Sequence, residues 1–496
     1  MMKPTRQPRR PAAYHLILAM MVLICAPPIC QSASTSNMAL ASDSLPAARL
    51  RQYADLAVQW EQEYLRIDTT NPPGNEARAA AFFKKVFDAE GLENRVLEFA
   101  PGRANIIAFL RHDPAAERGP WQRPLILLSH EDVVTSDPAR WKFNPFSATI
   151  DGPYLYGRGA QDMKSEGLAQ LVVMVMLKRE KVMLDRDIIF LATADEEVDG
   201  IGTDWMIAHH RDLLNNAEFL ITEGGENLRM GDTARFIGVD VGEKSPFWLR
   251  VTAHGIPGHG SRPRPDTAPN RLVRALQPII QFKPELRLLP VVEEFLRDMA
   301  QFQTAERAEK FRNARRYLQD KTFYTLVEND IQLGYMLRNT VALTMLGGSK
   351  QTNVIPGEAW ANLDVRLLPG EDRNQFLRKI RSLVTDPNVS IEPQDREFRV
   401  ANSSSTDTSL FRAFRQVEAK YHPGAPVVPV ITSGYTENQR YREIGISSYG
   451  FSPYAASPEE SATEHGDNER IRLSELRTGP QLLFDVLVSF AGRGGR

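Results

Sequence analysis

Five short clusters carry the residue types that could do chemistry, and all are built from histidine, aspartate and glutamate. The first is Ser129-His130-Glu131-Asp132, where an imidazole precedes a carboxylate by two residues. A metal-bound imidazole needs an acceptor on its second nitrogen, and a neighbouring carboxylate is a common one. The second, Gly157-Arg158-Gly159-Ala160-Gln161-Asp162-Met163-Lys164, is a glycine turn that delivers Asp162, whose two oxygens suit it to bridging two cations. The third, Asp195-Glu196-Glu197, places three acids in succession after an apolar run, which is costly unless positive charge sits among them. Glu223-Gly224-Gly225 and Glu464-His465-Gly466-Asp467 complete the set. Each cluster read singly also fits a plainer account: a surface histidine, a capped turn or a solvated acidic loop.

The elements that must position these clusters alternate. Pro124–Ser129, Asp187–Thr193 and Glu218–Thr222 read as buried strands, with helices over Ser165–Arg179 and Thr203–Leu214 between them. That order predicts an α/β domain with a mostly parallel central sheet flanked by helices, and in such sheets sites gather at the carboxyl ends of strands. His130, Glu196 and Glu223 each lie just past such an end. Helices are also expected over Ala47–Ile67 and Glu76–Glu90, separated by Asn71-Pro72-Pro73-Gly74.

The pattern changes near Lys244. A strand over Phe247–Ala253, a helix over Ala268–Phe282, a long charged helical stretch over Val291–Gln319, and strands over Thr340–Leu346 and Ala359–Leu367 suggest a smaller α+β domain inserted at 245–368. The flanking stretches 34–244 and 369–496 then form one catalytic domain, closing with strands over Val427–Ile431 and Ser447–Gly450 and a helix over Leu473–Ala491.

Composition narrows the chemistry. The 496-residue chain has 60 basic and 62 acidic side chains, a balance that argues against nucleic acid as a partner. Lys3, Arg6, Arg9 and Arg10 precede an apolar run from Tyr14 to Ala26 and a small, polar stretch, the layout of an export signal over residues 1–33. The run is shorter than the roughly 20 residues of a membrane span, although an uncleaved anchor is the alternative. Both cysteines, Cys25 and Cys30, lie in this segment, so a processed protein destined for the periplasm or the exterior has no thiol ligands. A metal site must then be made from imidazole and carboxylate.

Taken together and in order, the five clusters resemble the M20 family of metallopeptidases, which includes aminoacylases, carboxypeptidases, dipeptidases and succinyl-diaminopimelate desuccinylase. The resemblance runs from about Ile67 to Arg470. It implies a pair of zinc ions, with cobalt or manganese as substitutes, held by His130, Asp162, Glu197, Glu223 and His465. Asp162 would bridge, Asp132 would orient His130 and Glu196 would be the general base. It further implies that His259, in Gly255-Ile256-Pro257-Gly258-His259-Gly260-Ser261, polarises the scissile carbonyl, often across a dimer interface formed by the inserted domain. Arg366 would pair with the substrate carboxylate, and Asn353 lies in the neighbouring Asn353-Val354-Ile355-Pro356 segment. From bare physics, His259 is a loop histidine between glycines and Arg366 an arginine of a surface ion pair.

The expected reaction is hydrolysis of a peptide or N-acyl amino acid amide beside a free carboxylate. A dipeptidase, a hydrolase of a non-peptide amide, or an inactive binding protein of the same fold are the alternatives. Some residues depart from the family pattern. Ser165 stands where glycine is usual, Thr135 replaces a common proline, and Tyr435, Glu437 and Gln439 occupy positions usually held by Gly, Asp and Arg. The long helical stretch looks like that of the carboxypeptidase S and secreted N-acyl-amino-acid hydrolase branch, enlarging the lid.

Overall fold

The structure, a computed structural model, describes residues 40–112, 122–214, 216–394 and 399–492, so the expected export signal lies outside the described residues. Among the described residues no helix is long and apolar enough to cross a membrane.

The larger sheet has nine strands. Four of them, Ile188–Thr193, Leu125–His130, Phe219–Thr222 and Ser447–Gly450, lie side by side and parallel. Their runs are apolar throughout because helices cover both faces. On one face Lys164–Arg179 and Leu473–Ala491 pack over Phe190, Ile221 and Leu127, and on the other Met206, Leu214 and Tyr441 cover Ile126, Leu128 and Leu220. Antiparallel strands extend the sheet on both sides. The hairpin Glu93–Ala100 and Arg103–Leu110 lies at one edge. At the other is Thr233–Glu243, paired in parallel with Val427–Thr432 and hairpinned with Asn227–Met230.

The chain passes to a second sheet at Lys244. Leu249–His254, Glu358–Leu367 and Thr340–Gly347 form it, all antiparallel, with helix Ala268–Gln281 packed on one face. Two features differ from the expected boundaries. Val389–Pro393 pairs with Leu249–His254, and Phe376, Leu377 and Ile380 of helix Arg373–Ser382 join the same core, so this layer runs well past residue 368.

The charged helical stretch expected over Val291–Gln319 is three short α-helices, Pro290–Met299, Ala305–Arg312 and Ala314–Tyr317, and two more, Lys321–Asn329 and Ile331–Leu337, follow it. Thr304, Asp320 and Asp330 each cap the start of a new helix and so interrupt the run. Their apolar faces (Val292, Phe295, Phe311, Phe323, Met336) bury against Phe236, Val428 and Ile431, the flank of the catalytic sheet.

Candidate metal centre

The carboxyl ends of the parallel strands bring three of the five clusters together; Asp162 joins them from the glycine turn before helix Lys164–Arg179, and His465 from the loop between Pro458–Ser461 and Arg470–Arg472. His130, the last residue of its strand, is buried. Its Nε2 lies 2.9 Å from Asp162 Oδ1 and 3.4 Å from Glu223 Oε2. His465, held in a left-handed backbone conformation, points Nε2 at Asp162 Oδ2 (2.8 Å) and Glu197 Oε2 (3.3 Å). Asp162 thus presents one oxygen to each histidine. Two sets of ligand atoms result, His130–Asp162–Glu223 and Asp162–Glu197–His465, each gathered within 4.8 Å and joined through one carboxylate.

The donor set fits a pair of cations. Glu197 Oε1 is buried with no hydrogen-bond partner, an orphaned acceptor at the place where a cation would sit. Burial together with the Asp162 charge pushes the Glu223 carboxyl up to about 8. Burial and the charge of Glu223 likewise hold Glu196 well above the carboxylate range. Hydrogen bonds to Asp162 and Glu197 push the His465 imidazole up to about 11. Burial disfavours a charged His130, yet Glu223, Asp132 and Asp162 hold it well above its ordinary value. Burial works against the Asp162 carboxylate too, but bonds from His130 and His465 keep it well below the usual range. Four carboxylates, Asp162, Glu196, Glu197 and Glu223, thus crowd one pocket with two imidazoles, a charge that a pair of cations would neutralise.

The three consecutive acids divide their work. Asp195, in a left-handed turn, faces away from the clusters and accepts from Asn71 Nδ2 (2.9 Å) and Arg103 (2.6 Å). That turn releases Glu196 and Glu197 toward the site. Asp132 lies against His130 Nδ1 with both its carboxylate, at 3.6 Å, and its backbone carbonyl, at 3.0 Å. The carboxylate accepts from the backbone N–H groups of Glu196 (3.0 Å) and Glu197 (3.2 Å) and from Asn71 Nδ2 (2.8 Å). It positions the acidic loop as much as the histidine.

Gly225 is required where it stands. At φ 82° a Cβ would fall 2.1 Å from the Gly238 carbonyl, so only glycine lets the chain turn sharply after Glu223.

Residues with no assigned role complete the frame. Glu469, in the late cluster, accepts from the backbone N–H groups of Gly159 (2.9 Å), Gln161 (2.7 Å) and Asp162 (3.2 Å) and pairs with Arg158 at 2.6 Å. It fixes the turn that carries Asp162. Asn438 donates to the Glu223 carbonyl at 3.3 Å, and the buried Glu437 accepts from Thr193 and Thr203. Asn71 reads in the sequence only as part of a Pro-Gly break; its long-range partners Asp132 and Asp195 leave no local signal.

His259 belongs to neither ligand set; it lies on a separate two-stranded sheet with Asn353 beside it, and Arg366 lies on the second sheet. His259 is exposed on a two-residue strand paired with Val354–Ile355, and Gly260 N–H donates to the Asn353 carbonyl (2.7 Å), clipping the two segments together. The backbone N–H of Ser261 donates to His259 Nδ1 (3.1 Å), so in the neutral ring the proton sits on Nε2, facing outward as a donor. Arg366 places Nε and one terminal nitrogen on Asp364 (2.8 and 3.2 Å).

The family model for Peptidase family M20/M25/M40 matches residues 126–489. Among curated relatives, aminoacylase-1B of Rattus norvegicus is 27% identical over 436 residues, 87% of this chain and 94% of its own. The N-fatty-acyl-amino acid synthase/hydrolase PM20D1 of Bos taurus is 26% identical over 380 residues, 74% of each. The crystal structure of an M20 family metallo-carboxypeptidase from Sulfolobus solfataricus shares the fold, with a TM-score of 0.64 at 18% identity over 88% of this chain and 98% of that one. The match spans most of the chain and includes all five clusters: this protein belongs to peptidase family M20/M25/M40 and is a hydrolase of amide bonds.

Proposed function

We propose that the protein hydrolyses the amide bond of small peptides or N-acyl amino acids beside a free carboxylate, with two zinc ions held by His130, Asp162 and Glu223 on one side and Asp162, Glu197 and His465 on the other. The observation that carries this reading is the position of Asp162, with one oxygen 2.9 Å from His130 and the other 2.8 Å from His465. When bound, zinc supplies Lewis acidity, acidifying water and polarising a carbonyl oxygen.

The chain's own residues do the rest. Glu196, released by the Asp195 turn and anchored through its N–H on Asp132, takes a proton from the attacking water as the new C–O bond forms. It returns that proton to the amide nitrogen as the C–N bond breaks. His259 Nε2–H donates to the carbonyl oxygen as negative charge develops there. Arg366 keeps one terminal nitrogen beyond its Asp364 pair for the substrate carboxylate. The aminoacylase relative supports the N-acyl amino acid class.

Two further readings go with this one. Dimerisation through the smaller domain is supported by its outer strand Thr340–Gly347, where Met345 and Leu346 are exposed. Export by the N-terminal segment is supported by its charged, apolar and polar order.

The test is metal content together with a hydrolysis panel of dipeptides, N-acyl amino acids and their amidated counterparts. Two zinc equivalents per chain are expected, with activity lost on chelation, restored by zinc or cobalt, and confined to substrates with a free carboxylate. A protein that takes up no metal and cleaves nothing on the panel overturns the reading.

A further inference from the structure

The helices between Pro290 and Leu337 leave a cavity of about 60 Å³ against the catalytic sheet, walled by Phe236, Phe295, Tyr335, Met336, Val430 and Ile431. Phe236, Phe295, Met336 and Ile431 are buried, so the walls are a rigid part of the fold. Thr432 and Ser433 also border it, but the greater part of the lining is apolar, which favours an apolar occupant. Glu226 and Gln332 line its polar end, where Gln332 Nε2 donates to Glu226 Oε2 at 3.3 Å.

The cavity is tied to the metal centre by backbone. Glu226 follows Glu223 by three residues, through Gly224 and Gly225, which places their Cα atoms no more than about 11 Å apart. Gly238 N–H donates to the Glu226 carbonyl at 3.0 Å, and the Gly225 approach to Gly238 fixes the same segment. Phe236 is two residues from Gly238 on that strand.

Resting on the reaction proposed above, we infer that this cavity binds a short, uncharged apolar group of the substrate, two or so carbons deep, and that it sets the preference of the enzyme for such groups. The Glu226 carboxylate at its polar end disfavours an acidic group. The apolar group belongs either to the acyl part or to the amino-acid side chain, and substrate series separate the two.

In one arm, zinc-loaded full-length protein is offered acetyl-, propionyl-, butyryl- and hexanoyl-alanine; in the other, acetyl-alanine, acetyl-norvaline, acetyl-leucine and acetyl-aspartate. In one of the arms kcat/KM is expected to rise about fourfold per added carbon over the first two carbons and then level. Met336→Ala, which deepens the cavity, moves that plateau to a longer group, and Val430→Phe, which fills it from a less buried position, flattens the dependence. The inference is overturned if neither arm depends on length, or if neither folded variant changes the dependence. If the zinc-loaded protein hydrolyses no N-acyl amino acid or dipeptide, the proposed reaction and the cavity's role fall together. Brisk hydrolysis that ignores chain length removes the cavity's role alone.

Discussion

Glu196 and Glu197 are neighbours in sequence and differ in what they face. Glu197 offers one oxygen to His465 at 3.3 Å and keeps its other oxygen buried without a partner, which is the posture of a ligand. Glu196 is absent from both ligand sets, and burial and Glu223 raise its carboxyl above the ordinary carboxylate range, which makes it a stronger base for the attacking water. Replacing Glu196 by Gln keeps the shape and removes the base. Metal content should therefore stay at the native level while kcat falls by roughly 10²- to 10⁴-fold. Metal analysis alongside steady-state kinetics checks this, and joint loss of metal and turnover would reassign Glu196 as a ligand. Asp132→Asn should act differently. It weakens the acceptor that holds the N–H groups of both glutamates, so turnover and metal affinity should drop together, the latter by about 10- to 100-fold in a zinc titration. Unchanged affinity would confine Asp132 to a structural role.

At the scale of elements, Ser165 explains one departure from the family pattern. Its hydroxyl lies 2.7 Å from the Ala160 carbonyl and 3.0 Å from Glu61 Oε1, tying helix Ala47–Leu65 to the start of helix Lys164–Arg179, next to the turn that carries Asp162. Glu61 is fully buried, and burial pushes its carboxyl up to about 8 from an ordinary 4.5. Between these values the unfolded chain has lost the proton that the folded chain keeps. The stability this group contributes is thus complete below about pH 4.5 and is lost as pH rises through about 8. Glu61→Gln removes the titration, so relative to the native chain it should gain on the order of 3–4 kcal/mol between pH 5 and pH 8. Urea unfolding of both metal-free proteins across that range checks it, and parallel profiles would refute it. The sequence made the strand ends legible, because apolar runs stop abruptly at His130, Thr193 and Thr222 and the next residues are acids or the histidine itself. The hairpin at Glu93–Leu110 and the strand Thr233–Glu243 were not: in the latter Ile237, Val239 and Val241 alternate with Gly238, Asp240 and Gly242, residues that strands disfavour, and pairing with Val427–Thr432 is what defines it. Helical periodicity was visible in the charged stretch, but its packing surface was not. That surface is formed by Phe236, Val428 and Ile431, which lie far away in sequence.

At the scale of the molecule, the question is how His259 meets the metal centre. It lies on the separate two-stranded sheet, exposed, with its Nε2–H turned outward, and neither ligand set includes it. The exposed Thr340–Gly347 edge of the second sheet, carrying Met345 and Leu346, suits association with a second copy. If the copies pair in this way and each supplies His259 to the other's site, two defective chains should repair one another. Co-expressing Glu196→Gln with His259→Ala gives a mixed dimer in which one site has both defects and the other has none. With random pairing half the dimers are mixed, and the population should recover about a quarter of native kcat/KM, although each variant alone is nearly inactive. Within one chain the arrangement gives no recovery, because every site then keeps one defect. Activity of the co-purified mixture, with mass measured by light scattering, decides between them. A monomer, or a mixture no more active than the mean of the two variants, would place His259's action within its own chain.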